Sequence, residues 1–270
     1  MTIKYLDSKR ISALTSDVVN TPTFEDDFSS STGWIPVGSG ISVTGGELYA
    51  NSFAANTDNR IYKDFSLLED SFVATFDFDF ISMSQTSGYF GIMFSSGTGA
   101  FKTSSDDSSG LLLYNYGTEA SILARTNNGA SSETTSQTGA CRLQIGTKYY
   151  ITFIRNSDTQ ITIKAYSDSA RTTQIGTTIT QTIPATIDAI RYFNTGYYAG
   201  GGSSGETISY KIDNLKIYNG VSSLTNKPTN VQDNSILVEK DTGNRYWFDS
   251  GDYKVHTFTS GGTFAVTGSG

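Results

Sequence analysis

Hydrophobic and polar residues alternate one for one along much of this chain. In "FVATFDFDFISMS", Phe72 to Ser84, an extended backbone puts Phe72, Ala74, Phe76, Phe78 and Phe80 on one face. Val73, Thr75, Asp77, Asp79 and Ile81 fall on the other. Four phenylalanines mark the first face as the core side and leave the second to solvent. "YYITFIRNSDTQITIKAYSD" reads as two alternating runs around the turn "NSDTQ". "GISVTGGELYANSF" reads as a hairpin, Ile41 to Val43 and Glu47 to Ala50, joined by Gly-Gly. "NRIYKDF", "GYFGIMFSS", "SGLLLYNYG", "ASILARTNN", "RYFNTGYYAGG" and "TISYKIDNLKIYNG" add further strands bounded by Gly, Ser or Asn clusters. About a dozen short strands at even spacing, without a sustained helical period, predict an all-β antiparallel β-sandwich or jelly roll.

The pattern changes at both ends. Leu6, Arg10, Ile11 and Leu14 sit at helical spacing and predict a short helix or an irregular arm. Beyond Gly220, "VSSLTNKPTNVQDNS" is a polar connector. "ILVEKDTGNRYWFDSG" then predicts a hairpin turning at "DTGN", and "YKVHTFTSGGTFAVTGSG" a second around Gly261-Gly262. The expected organisation is an N-terminal arm over 1–21, a sandwich over 22–220 and a C-terminal linker and β-hairpin module over 221–270. Segments this small hold little core of their own, so they are expected to lean on the sandwich or on a second chain.

Composition narrows the chemistry. Hydrophobic residues are 37% of the chain and aromatic ones 13%, with 16 Phe and 16 Tyr, so the core must be built from few, large side chains. Only 17% of residues are charged, which leaves a Ser, Thr, Asn and Gly surface of extracellular type. A net charge of −7 with scattered bases argues against nucleic acid and anionic membrane as partners. No apolar run is long enough to predict membrane insertion. One cysteine, Cys141, and one histidine, His256, exclude an internal disulfide, a zinc site and the usual Ser-His-Asp or Cys-His arrangements. Cys141 reads as a small buried hydrophobe and His256 as a strand residue. The first twenty residues lack an apolar h-region, and no Asn-x-Ser/Thr sequon occurs. An extracellular surface without a secretion address fits a virion protein released by assembly, and fits a shortened chain equally well.

The stretch "SYKIDNLKIYNG", after "YFNTGYYAGGG" and with "DDFSSSTGW" near the start, resembles the concanavalin A-like, laminin-G-like superfamily of jelly-roll lectin domains. In that superfamily the last strand often reads IDN, apolar, basic, IY. The likeness covers roughly 22–219. The flanks "IKYLDSKRISAL" and "KPTNVQDNSILVEKDTGNRYWFD" resemble short modules of structural and adhesive proteins of tailed phages and archaeal viruses. "VHTFTSGGTFAVTGSG" resembles the entry to a glycine-rich domain.

The superfamily includes glycosidases whose catalytic strand resembles Glu-x-Asp-x-x-Glu. The counterpart here, Asp77 to Ser82, has Asp first and Ser82 in place of the last acid. Asp77 and Asp79, about 6.5–7 Å apart along a strand, fit only the inverting spacing. Without the third carboxylate they read as solvated strand acids that contact ligand, so no enzyme is expected. Glu69, Glu119, Glu133 and Glu206 lie in no recognisable motif. The resemblance also implies a structural calcium where first and last strands neighbour each other. Glu25, Asp27, Asp213 and Asn214 are its candidate ligands, beside the alternative that Asp213 caps a turn or accepts backbone hydrogen bonds. Asp106 and Asp107 form a looser acidic patch. Sugar recognition asks for aromatic platforms beside planar polar groups, and Trp34, Tyr114, Tyr116, Tyr197 and Tyr198 stand beside turns, as does Tyr89.

The expectation is a non-enzymatic structural or adhesion protein of a virion or extracellular appendage. It would form a homo-oligomer or filament and present a domain that binds a glycan or host-surface polysaccharide. A stand-alone carbohydrate-binding module is the alternative, and a glycoside hydrolase the third.

Overall fold

Phenylalanine at every second position drives two sheets together. The computed structural model describes residues 22–54, 58–84, 89–99, 106–115, 118–128, 132–134, 140–184, 186–197, 207–221, 236–238 and 245–247. The N-terminal arm and the expected hairpin around Gly261-Gly262 lie outside the described residues.

In chain order the first strands are β1 (Phe24–Asp26), β2 (Trp34–Val37), β3 (Ile41–Thr44), β4 (Glu47–Ala54), β5 (Arg60–Asp64) and β6 (Phe72–Met83). Next come β7 (Tyr89–Ser95), β8 (Asp107–Asn115), β9 (Glu119–Asn128), β10 (Ser132–Thr134), β11 (Arg142–Gln144) and β12 (Thr147–Ser157). The last are β13 (Gln160–Tyr166), β14 (Gln174–Thr182), β15 (Tyr192–Tyr197), β16 (Thr207–Asn219), β17 (Ile236–Val238) and β18 (Arg245–Trp247). One antiparallel sheet runs β14-β13-β12-β6-β16-β4-β3, and β1 pairs with β16 beyond the end of β4. The second runs β10-β9-β8-β7-β15-β5-β2, with β11 on β9. The expected antiparallel β-sandwich is therefore present. Strands β10, β11 and β14 are additions that the alternation did not predict. Strand β14, "QIGTTITQT", is mostly exposed and offers no apolar period.

The two sheets meet through aromatic rings. Phe94 stacks on Phe153 at 4.9 Å and meets Phe72 at 5.0 Å and Phe193 at 5.5 Å edge-on. These offset and edge-to-face contacts add to the area that the rings bury. Within the core, the Tyr210 hydroxyl of β16 and Thr195 Oγ1 of β15 lie 2.5 Å apart, a hydrogen bond between the two sheets. Burial pushes the Tyr210 phenol far above its usual range, so it stays neutral. Cys141 is buried, and burial pushes its thiol up to about 11. The inward alternation of β12 continues past Phe153 to Arg155, which is 1% exposed. Its NH2 donates to the Ile187 carbonyl at 2.5 Å and lies 3.6 Å from Asp70.

Trp34, expected as a sugar platform, is instead part of this core at 6% exposure. Its indole packs against Phe28, Phe65 and Phe193, and its Nε1–H donates to Asp26 Oδ2 at 3.0 Å. A buried indole needs a partner for its N–H, and the first strand supplies one.

The sandwich lies within Thr21–Leu224, and the other described residues belong to a separate unit. There β17 and β18 pair as Ile236↔Trp247, Leu237↔Tyr246 and Val238↔Arg245, and the turn "DTGN" expected between them lies outside the described residues.

Candidate functional site

Strand register assembles the outer face of the β6 sheet from residues far apart in sequence. One row reads Tyr166, Tyr150, Asp77, Asp213 across β13, β12, β6 and β16. On one side of it runs Lys148, Asp79, Lys211, Tyr49 across β12, β6, β16 and β4. On the other runs Lys164, Thr152, Thr75, Lys216, Glu25 across β13, β12, β6, β16 and β1. Beyond that, Tyr218 stands opposite Val73. Tyr49, Tyr150, Tyr166 and Tyr218 are all half-buried. Four strands at about 4.8 Å spacing make the central row roughly 14 Å wide.

Asp77 is the centre of this face and is not a solvated strand acid. It is 8% exposed, and Thr75 and Val73 beside it are also buried. Long side chains from neighbouring strands lean across β6 and cover positions that alternation alone would leave wet. Lys148 Nζ lies 3.2 Å from Asp77 Oδ2, and Asn214 Nδ2 donates to the same oxygen at 3.0 Å. Arg171 NH2 lies 3.8 Å from Asp77 Oδ1. Burial lowers the Lys148 ammonium, but its hydrogen bond and charge pairing with Asp77 outweigh this and raise it overall. Asp79 is half-buried between Lys148 and Lys211 in register.

Two backbone irregularities deliver the polar groups. Strand β16 bulges between Asp213 and Lys216, where Asn214 takes φ 52°. Bulges re-aim side chains, and Asn is among the residues that best tolerate this conformation. Its amide bridges Asp77 and Asp213, with 3.1 Å to Asp213 Oδ2. The second irregularity is the β13–β14 loop. The Asp168 carboxylate accepts from Thr172 N–H at 3.1 Å and Thr173 N–H at 2.6 Å, bonds that hold its pKa down to about 2. Within this loop Arg171, at φ 55°, swings its guanidinium to 5.8 Å from the Tyr150 ring centre.

The candidate calcium ligands are divided between two places. First and last strands do neighbour each other, through Phe24↔Ile217 and Asp26↔Leu215. Yet Glu25 pairs with Lys216 at 2.6 Å, and Asp27 accepts from the Ser29 N–H at 3.0 Å. Asp213 accepts from the Asn214 N–H at 2.7 Å and faces Asp77 rather than Glu25. Among the described residues, no three His, Cys, Asp or Glu side chains gather at metal-binding range. Tyr114 lies on the other sheet, half-buried against Met93, Leu112 and Leu123. Tyr116, Tyr198 and the side chains of Tyr89 and Tyr197 lie outside the described residues.

No protein-family model matches the chain, and no curated protein does. Solved structures with similar folds do exist. The CBM2 module of an evolved Dit from Lactobacillus casei BL23 phage J-1 is 11% identical, with a TM-score of 0.48, over 75% of this chain and 97% of that one. A bifunctional GH43-CE protein of Bacteroides eggerthii is 13% identical at a TM-score of 0.48, over 74% of this chain and 26% of that one. The exoplasmic/lumenal domain of VIP36, in a Ca2+/Man3GlcNAc-bound form, is 13% identical at 0.46, over 71% and 87%.

The tyrosines of this face escaped sequence reasoning, which looked for aromatics beside turns. The usable signal was their outward position in alternating strands, as in "YYITFIR" and "IKAY", where Tyr150 and Tyr166 oppose the core set.

Proposed function

We propose that the sandwich is a non-enzymatic carbohydrate-binding domain whose ligand lies on the outer face of the β6 sheet. The observation that carries this reading is the set of half-buried tyrosines interleaved with Asp77, Asp79, Asp213, Asn214 and Lys148. Aromatic rings accept the C–H faces of sugar rings, and planar or charged groups between them bond the hydroxyls. The non-enzymatic part is supported by Ser82 in place of a third acid and by Lys148, Asn214 and Arg171 on the Asp77 oxygens. The reading needs no calcium.

We place the domain in a structural or adhesion protein of a virion or extracellular appendage, on the strength of the low-charge surface and the flanking sequences. The test is an array of microbial and host glycans probed with the whole chain, with and without chelator. Binding is expected, unchanged by chelator, lost in a Tyr49→Ala/Tyr150→Ala variant and unaccompanied by release of reducing sugar. Silence across the array overturns the binding reading, and sugar release overturns the non-enzymatic one. The assembly role predicts an oligomer by light scattering, and a strict monomer contradicts it.

A further inference from the structure

The side chain of Arg171 is held against Tyr150 and Asp77 without a close hydrogen bond to either. Left-handed backbone costs an arginine about 1 kcal/mol or more, unlike asparagine or glycine. Arg171 nonetheless adopts φ 55°, fixed by the hydrogen bonds that close the loop on Asp168. Its side chain is 24% exposed. Burial lowers the guanidinium's pKa, with Asp77 opposing the shift. NH2 stands 3.8 Å from Asp77 Oδ1, beyond hydrogen-bond range, while Lys148 and Asn214 hold the other carboxylate oxygen, Oδ2. NH1 donates to the Ser169 carbonyl at 3.3 Å, and Nε–H meets no acceptor among the described residues. Strain and desolvation at a side chain that still keeps 24% of its surface open point to a partner that arrives from outside.

The surroundings specify that partner's charge. Lys216 lies within reach of the Arg171 field, which opposes the protonation that Glu25 favours. Lys164 stands one row away on β13. On this face and its β13–β14 loop, Lys148, Lys164, Arg171, Lys211 and Lys216 stand against Glu25, Glu47, Asp77, Asp79, Asp168 and Asp213, five cations to six carboxylates, whereas the whole chain carries −7. An acidic polymer repelled by the rest of the molecule meets a face of nearly balanced charge here, with the Arg171 guanidinium beside its centre at Asp77. A guanidinium over an aromatic ring suits a planar carboxylate better than a hydroxyl, because its parallel N–H groups match two carboxylate oxygens.

We infer that the ligand is a uronic-acid-containing glycan and that Arg171, supported by Lys164 and Lys216, receives its carboxylate. This rests on the binding face proposed above and adds the substrate class. The test uses calorimetry with a panel of oligouronates built on galacturonate, mannuronate, guluronate and glucuronate. Each is paired with the same oligomer after reduction of its carboxyl groups to alcohols. Wild-type protein should prefer at least one acid form over its reduced form by roughly tenfold or more, the size of a charge-assisted hydrogen bond. The preference should shrink as salt rises. Arg171→Gln should abolish it, and Arg171→Lys should restore part of it, with thermal unfolding reporting that both variants remain folded. Equal affinity for acid and reduced forms, or a preference untouched by Arg171→Gln, overturns the inference while leaving a glycan-binding face in place. No binding to these probes overturns the inference, and the array above, run on neutral glycans, then decides the broader reading separately.

Discussion

Replacing Asp26 by alanine should loosen the sandwich more than any other single change to its first strand. The carboxylate is 8% exposed and holds three donors. Phe28 N–H approaches at 2.8 Å, Trp34 Nε1–H at 3.0 Å and Lys63 Nζ at 2.5 Å. Lys63 in turn sits 5.6 Å from the Trp34 ring centre and 5.7 Å from that of Phe65. Each stranded donor costs about 1–3 kcal/mol, and breaking a buried ion pair about 3–5 kcal/mol. These overlap, and Lys63 at 24% exposure can turn to water, so the expected loss is about 3–4 kcal/mol. For a unit of this size that lowers Tm by about 10 °C. Urea unfolding followed by tryptophan fluorescence measures it, and Asp26→Asn should lose about half as much because it keeps the shape. A double-mutant cycle with Lys63→Ala should give a coupling of about 1–3 kcal/mol. A loss below about 1 kcal/mol for Asp26→Ala would refute the claim that this carboxylate pins the first strand.

Phe94→Ala removes a ring that touches Phe72, Phe153 and Phe193, and should cost about 3–5 kcal/mol in the same unfolding assay. At Gly110 a Cβ would press into the Ile92 carbonyl oxygen and lie 2.7 Å from the Met93 Cα, so Gly110→Ala should separate β7 from β8. Hydrogen exchange would show this as lost protection in both strands, and unchanged protection would contradict it. Asp168 is depressed to about 2 by its bonds to Thr172 and Thr173. A carboxylate with a lowered folded-state pKa stabilises above its unfolded value near 3.8 and loses that contribution as pH falls toward 2. The Thr172 and Thr173 amides should therefore exchange faster, after correction for intrinsic rates, between pH 4 and pH 2, and Asp168→Asn should remove this dependence.

The body of the fold was legible because its core strands alternate large apolar and polar residues without interruption. Phe72 to Phe80 and Tyr149 to Phe153 place themselves inward by period alone. Trp34 misled because a tryptophan next to "STG" looks like a turn aromatic, while the Asp26 partner that permits its burial lies eight residues earlier. Asp77 misled for a different reason. Lys148, Arg171 and Asn214 close on it, and only strand register and two left-handed residues bring them there. Alternation predicts the side of a strand but not what neighbouring strands lay across it. The "DN" pair inside "KIDNLKIY" was the one local sign of the bulge, since Asn in a strand run favours an interruption. Strand β14 had no such sign, because an edge strand with a mostly exposed pattern carries no apolar period to read.

The most direct measurement is residue-resolved amide shift mapping of the isotope-labelled chain during titration with a glycan that the array identifies. The account predicts that the shifts concentrate at Tyr49, Asp77, Tyr150, Tyr166, Lys211 and Asn214 and vanish in the Tyr49→Ala/Tyr150→Ala variant. Shifts confined to the opposite sheet, around Tyr62, Tyr114 and Tyr192, would contradict it.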